Sequence, residues 1–339
     1  MRIFPVRAAR RETLLPAGCG SITRKFPVPA VHKFDSITEA HRALGLPKPL
    51  HPLISVVDAA ATPIGAGPSS GAHLLSFYKL AYKTGGTGSV KYGPGRYDFT
   101  EGSLLCAAPN QLMGGDDEQA CDQGGYVLLL HPDLLTGYPL AQKIKQYTFF
   151  SYDASEALHL SDSEQATVVA LFRSIAEELR ARLDDFSQDV LLAQLELLLS
   201  YTQRFYQRQF ITRRTVSRGL LAQVEAVLDD YFGGQQGLRQ GLPTVQYLAA
   251  QVRLTPSYLS DMLRSLTGLS AQQHIHQRLI EQAKERLSIT ALSVSEIAYE
   301  LGFEHSQSFS KLFKAKTSLS PLAFRQSFAA GSPRYPRGD

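Results

Sequence analysis

With 339 residues, 44% of them hydrophobic and 19% charged, the chain is long enough for two or three domains that bury their own cores without disulfide staples. The net charge of +4 hides an asymmetry: from Thr212 onward about 15 Lys and Arg stand against about 10 Asp and Glu, so roughly +5 sits in the last third and about −1 in the rest. The three cysteines, Cys19, Cys106 and Cys121, form no C-x-x-C pair, which excludes a zinc ribbon or a thioredoxin-type site, and no apolar run reaches the ~18 residues of a membrane span.

Residues 1–30 read as an Arg-rich, poorly ordered leader. The run Leu14-Leu15-Pro16-Ala17-Gly18-Cys19 lacks the preceding hydrophobic stretch that a lipoprotein signal needs. Residues 31–152 read as one β-rich domain, with extended runs at Leu53 to Asp58, His73 to Lys83, Ser89 to Phe99, Ser103 to Ala108 and Tyr126 to His131. Apolar and polar residues alternate along them, and glycine-rich turns separate them at hairpin spacing, as in an antiparallel β-sandwich or small barrel. Phe77, Tyr78, Tyr92, Arg96 and His131 are the candidates to line its interior as a small-molecule pocket.

After Tyr152 the hydrophobic period changes from two to about 3.6. Residues 153–210 read as a helical pair: one helix opens at Ser161 with Glu164 three residues on, and a second runs from about Ser187 to Gln209. The stripe of Leu191, Leu195 and Leu198 on the second helix is expected to form a homodimer seam. Residues 211–218, with Arg213, Arg214 and Arg218, read as a linker, 219–330 as an all-helical domain, and 331–339 as a tail.

The helical domain contains a duplication with a period of about 50 residues. Val245, Leu248, Ala249 and Val252 recur as Val294, Ile297, Ala298 and Leu301, each set at the spacing of a buried helix face. A short turn follows, then a second helix in which Leu259, Met262 and Leu263 match Phe309, Leu312 and Phe313. Thr244, Thr255-Pro256, Ser270, Ser293 with Glu296, and Ser320-Pro321 supply helix starts, Gly268 supplies a left-handed stop, and one long helix from Ser270 to Leu287 spaces the copies.

Each second helix has its apolar side in the core, so its other side is the one that can meet a partner. In the first copy that side carries Ser257, Ser260, Asp261 and Arg264, and in the second Ser306, Gln307, Ser310, Lys311 and Lys314. Hydroxyls, amides and cationic side chains in this arrangement suit base edges and phosphates in a DNA major groove. Asp261 is discordant there unless it accepts from cytosine or orients Arg264, so the second copy is expected to contribute more of the charge.

The stretches Ile297-Ala298-Tyr299-Glu300-Leu301-Gly302-Phe303, Phe309-Ser310-Lys311-Leu312-Phe313-Lys314 and Leu319-Ser320-Pro321-Leu322-Ala323-Phe324-Arg325 resemble the signature of the AraC/XylS family of bacterial transcription regulators. The resemblance covers about Val216 to Phe328. It implies two recognition helices entering successive major grooves about 34 Å apart, and a cupin-like sensor domain ahead of them, whose counterpart here is the run from His131 to Leu140. The implied protein is a cytoplasmic DNA-binding regulator, not an enzyme, with double-stranded DNA, a small-molecule effector, RNA polymerase and a second copy of the chain as partners, and with no membrane, cofactor or metal. Two departures from the family pattern fall at helix ends, where Ser318 replaces a usual stop glycine and Ala271 a frequent proline.

A cupin-type metal-dependent enzyme fused to a DNA-binding module is the rival reading. It needs a His-x-His with a carboxylate and a distant third histidine, whereas His73 and His131 stand alone among the strands and His274-Ile275-His276 falls on a helix, where the two side chains diverge. The glycine-rich Gly65 to Gly71 lacks the spacing of a phosphate loop. An architectural DNA-binding protein would not need the strand-rich first half.

Overall fold

The computed structural model describes residues 32–59, 61, 73–84, 90–92, 95–97, 102–113, 124–182, 184–212, 214–234 and 236–331. The leader, the tail beyond residue 331, Cys19, Cys121 and the glycine-rich 65–71 lie outside them.

The first half is built from strands β1 (His32–Phe34), β2 (Ile54–Asp58), β3 (His73–Leu75), β4 (Tyr78–Lys83), β5 (Val90–Tyr92), β6 (Gly95–Tyr97), β7 (Ser103–Ala107), β8 (Leu112–Met113), β9 (Gly125–Leu130) and β10 (Leu158–His159), with short helices α1 (Ile37–Ala43) and α2 (Leu140–Lys143). A five-stranded antiparallel sheet has the order β10-β7-β4-β9-β2. A smaller sheet, β1-β3-β8, pairs β1 parallel to β3, and β5 and β6 form a separate two-stranded ribbon. Two longer helices follow, α3 (Asp162–Glu178) and α4 (Ser187–Thr212).

The period-two pattern gives the large sheet two different faces. Leu80 stands opposite Cys106 and Leu128 in the register, and these side chains share a core with Val168 and Phe172 of α3 and Leu195 of α4. On the other face Leu129 joins Phe34, Ile37, Ala40, Leu75 and Phe77, so α1 and the small sheet cover that side. Glu164, in the first turn of α3, accepts the Ser161 N–H at 2.9 Å and pairs with Arg208 of α4, locking the two helices together.

Leu191, Leu195 and Leu198 do not form a dimer seam, because all three are buried inside the chain among the side chains of α3 and the sheet. The apolar side chains that α4 leaves exposed lie away from that stripe: Phe186 just ahead of the helix, then Val190, Leu197 and, near its end, Ile211. Within the expected linker at 211–218, the described residues 211–212 and 214–218 are helical. Ile211 and Thr212 end α4 and Arg214–Arg218 begin α5 (Arg214–Gly233), since no proline or glycine interrupts those residues.

The C-terminal half continues as α6 (Gln236–Gln240), α7 (Val245–Val252), α8 (Pro256–Thr267), α9 (Ala271–Ile289), α10 (Val294–Glu300), α11 (Ser306–Thr317) and α12 (Pro321–Gly331). The capping chemistry does what the sequence anticipates: Thr244, Thr255, Ser270 and Ser293 each accept a backbone N–H of the first turn that they open, and Gly268 closes α8 at φ +79°. Across the units, Arg286 of α9 donates to Glu300 of α10 at 3.1 Å and to the Phe232 carbonyl of α5 at 2.9 Å.

Ser318 ends α11 in the left-handed region, at φ +62°, with its N–H on the Lys314 carbonyl. A residue with a Cβ is strained there by about 1 kcal/mol. Ser318→Gly is therefore expected to stabilise the protein by about 0.5 kcal/mol after the added chain entropy of glycine is subtracted, read as a rise in midpoint on thermal unfolding. An unchanged or lower midpoint would show that the serine is not strained.

Candidate nucleic-acid interface

Two helix-turn-helix units sit in the C-terminal half, α7 with α8 and α10 with α11, and they share one turn geometry. Leu254 N–H donates to the Ala249 carbonyl in the first, and Phe303 N–H donates to the Ala298 carbonyl in the second, both at about 3.0 Å. The pivots, Arg253 and Gly302, both have positive φ, at 57° and 98°.

The second unit is open. Phe309 and Phe313 are fully buried, packing edge to face or tilted against Phe303, Phe324 and each other. Gln307, Lys311 and Lys314 on the other side of α11 are exposed, and Ser306 and Ser310 are half-buried beside them. All five residues expected in this copy therefore share one polar, cationic face. His305 opens α11 without a side-chain cap bond, unlike Thr255 at the start of α8.

The first unit is arranged differently. Leu259, Met262 and Leu263 fill its core, Arg264 is exposed, and Ser257, Ser260 and Asp261 are half-buried. Asp261 accepts from Arg264 Nη1 at 2.9 Å, the orienting role that its position suggests. It also accepts from the Tyr152 hydroxyl at 2.8 Å, and Ser151 Oγ donates to Ser257 Oγ at 3.0 Å. Two of the four residues expected to face DNA thus bond to the sensor body.

The strongest of these contacts involves a residue for which the sequence gives no signal. Glu156, buried in a short 3-10 turn, accepts the Thr255 N–H at Oε1 and the Thr255 hydroxyl at Oε2, both at 2.6 Å, and the Asp153 N–H at 2.9 Å. Burial pushes its carboxyl up, and the bonds from Thr255 and Asp153 oppose that shift. Burial also raises the Tyr152 hydroxyl well above its usual range, with the Asp261 charge adding to it. Tyr258 of α8 completes the contact, meeting Tyr152 and Phe210 edge-on at 5.1 Å.

The residues expected to line one sensor pocket are not brought together. Phe77 and Tyr78 are neighbours in an extended segment and point to opposite sides, Phe77 into the cluster with α1 and Tyr78 into the helix-facing core, where it meets Phe150. His131 caps the turn Pro132–Leu135 through the Asp133 N–H at 3.3 Å. Tyr92 and Arg96 lie on the β5-β6 ribbon, and their side chains fall outside the described residues. The face of the large sheet turned away from α3 and α4 carries Ser55, Lys79, Ala81 and Lys83, a set legible from strand parity once one residue's direction is known. Among the described residues no group of three His, Cys, Asp or Glu side chains is placed to hold a metal ion; His274 instead bonds Thr267 and His276 bonds Gln272, each at 2.9 Å. No described helix is long and apolar enough to cross a membrane.

Comparison with known proteins agrees with this division. Residues 63–196 match the AraC-like ligand binding domain, and residues 248–327 match a helix-turn-helix domain. An uncharacterized HTH-type transcriptional regulator of Bacillus subtilis, YfiF, is 26% identical over 259 residues, which is 75% of this chain and 78% of that protein. The HTH-type transcriptional activator RhaR of Cronobacter sakazakii is 33% identical over 86 residues, covering 25% of this chain and 30% of that one. Among solved structures, the DNA-binding domain of AdpA in complex with a target DNA aligns over 34% of this chain and 97% of its own, at 25% identity and a TM-score of 0.30. With a sensor-type domain and a helix-turn-helix domain joined in this order, the chain belongs to the AraC/XylS family of transcription regulators.

Proposed function

We propose that this regulator works in the cytoplasm, binding double-stranded promoter DNA as a homodimer and responding to a small-molecule effector held in the N-terminal domain, with RNA polymerase as its protein partner at the promoter. The second unit reads DNA through Ser306, Gln307, Ser310, Lys311 and Lys314, and the first through Ser257, Ser260, Asp261 and Arg264. The observation that carries the reading is α11, whose aromatic side is wholly buried while its amide and lysine side is exposed. An α-helix with this division of faces fits a major groove about 12 Å wide. Selecting duplexes from a randomised pool with the full chain should return an asymmetric element with two protected segments about 34 Å apart. Failure to enrich any sequence at about 100 mM salt would remove the assignment.

The effector belongs between the two sheets, against the face with Ser55, Lys79, Ala81 and Lys83. The dimer contact belongs on the outer stripe of α4, because Phe186, Val190 and Leu197 offer apolar area at helical spacing there. Val190→Glu with Leu197→Glu is expected to convert a dimer into a monomer in sedimentation at micromolar concentration without lowering the unfolding midpoint. A dimer that survives both changes would place the contact elsewhere.

A further inference from the structure

The two copies of the helix-turn-helix unit have the same internal geometry and different surroundings. α11 packs against α10 and α12 of its own domain, while α8 also packs against α4 and the 3-10 turn Thr148–Ser151 of the sensor body. Three polar contacts and a cluster of rings hold α8 there. Each falls at its N-terminus or on the side expected to face DNA: Glu156 on Thr255, Ser151 on Ser257, Tyr152 on Asp261, and Tyr152 with Phe210 on Tyr258.

The chemistry of the first contact resembles that of a nucleic acid. The N-terminus of a reading helix offers backbone N–H groups and a partial positive charge, which in a DNA complex meet a phosphate. Here a buried carboxylate takes that place, accepting both the N–H and the hydroxyl of the capping residue. An anion already bound at this end excludes a second one. Tyr152, also buried, draws Asp261 toward the body, and Asp261 in turn holds the Arg264 guanidinium, so the one cation expected on this face is tied to the same group. The clasp has an anchor on its own side, where Gln111 Nε2 donates to the Tyr152 carbonyl at 3.2 Å and Tyr206 packs edge-on against the Tyr152 ring.

We propose that the segment Ser151 to Glu156 is an autoinhibitory clasp in which Glu156 occupies the phosphate position of the first reading helix, so that the closed chain engages DNA through α11 alone. Opening the clasp frees α8 and lets both units bind. This inference rests on the DNA-binding reading above and adds which half of the interface is withheld, and by which side chains.

The Ser151 and Ser257 hydroxyl oxygens, 3.0 Å apart, give the test. Cysteines at both positions, in a full-length chain with Cys19→Ser and Cys121→Ser, stand close enough to join as a disulfide that locks the contact, and a reductant releases it. The probe is a duplex selected from randomised DNA by the reduced protein. The oxidised form is expected to bind it about tenfold more weakly and to protect one segment, and reduction should restore both segments. In the unaltered background, Glu156→Gln with Tyr152→Phe should bind about tenfold more tightly than the starting protein. Equal affinity and footprint for oxidised and reduced forms would overturn the clasp, as would failure of the disulfide to form under an oxidant that links exposed thiols. If the reduced protein selects no duplex, the DNA-binding reading itself falls, a result distinct from equal binding by the two forms.

Discussion

Gly302→Ala is expected to cost more than about 3 kcal/mol of stability and to abolish DNA binding by both units. Gly302 turns the chain between α10 and α11 at φ +98°, and a Cβ added there would lie 2.4 Å from the Gly241 carbonyl oxygen and 2.5 Å from its carbon. Both obstacles are backbone, so no side-chain rotation can relieve them. The Gly241 carbonyl is itself fixed, since it accepts the Tyr231 hydroxyl at 2.9 Å. A second close approach lies alongside: a Cβ on Gly237 would stand 2.7 Å from the Glu300 carbonyl oxygen. The turn of the second unit and the α6 turn therefore meet backbone against backbone, and widening either one separates α10 from α6. Arg253 occupies the equivalent pivot of the first unit at φ +57°, with the side chain exposed. Arg253→Gly is expected to have the opposite sign, a gain of about 0.5 kcal/mol from relief of the left-handed strain. Chemical denaturation of the two variants checks both; equal and small effects would show that the Gly241 contact does not hold the units together.

The duplicated units were legible because their signals are local. Thr244, Thr255 and Ser293 cap helices within three residues of themselves, and the matched apolar sets repeat at one spacing, so few other structures satisfy them. The sensor half gave its strands for the same reason, yet not its interior. Alternation says that Phe77 and Tyr78 point to opposite faces but not which face is covered by helices, a matter decided by α3 and α4 some 90 or more residues away. The leucine stripe of α4 failed in a related way, since an apolar stripe shows that something covers it and not whether the cover is the same chain. Glu156 had no local signature at all. Its partner is 99 residues distant, and a lone carboxylate between Asp153 and the two-residue strand β10 reads as a surface residue until the fold brings Thr255 to it.

Lys311 and Lys314 supply the other large expected effect. They stand one turn apart on the exposed side of α11, with Phe309 and Phe313 anchoring the opposite side, so both ammonium groups can reach the phosphates that flank one major groove. Each charge-assisted contact is worth about 1 kcal/mol net at about 150 mM salt, so the double Lys311→Ala, Lys314→Ala variant should bind a selected duplex about thirtyfold more weakly. The salt dependence separates this from a loss of fold. Two fewer phosphate contacts should flatten the slope of log K against log salt by about 1.8, whereas misfolding would lower affinity at every salt concentration. The corresponding change in the first unit, Arg264→Ala, should have little effect in the oxidised Ser151→Cys, Ser257→Cys chain, where the clasp is locked and that guanidinium stays tied to Asp261 and Asp261 to Tyr152. In a chain whose clasp has been opened by Glu156→Gln and Tyr152→Phe, the same change should cost a further slope of about 0.9. An Arg264 effect of equal size in both backgrounds would mean that the first unit reads DNA from the clasped state, and the asymmetry between the two copies would have no bearing on binding.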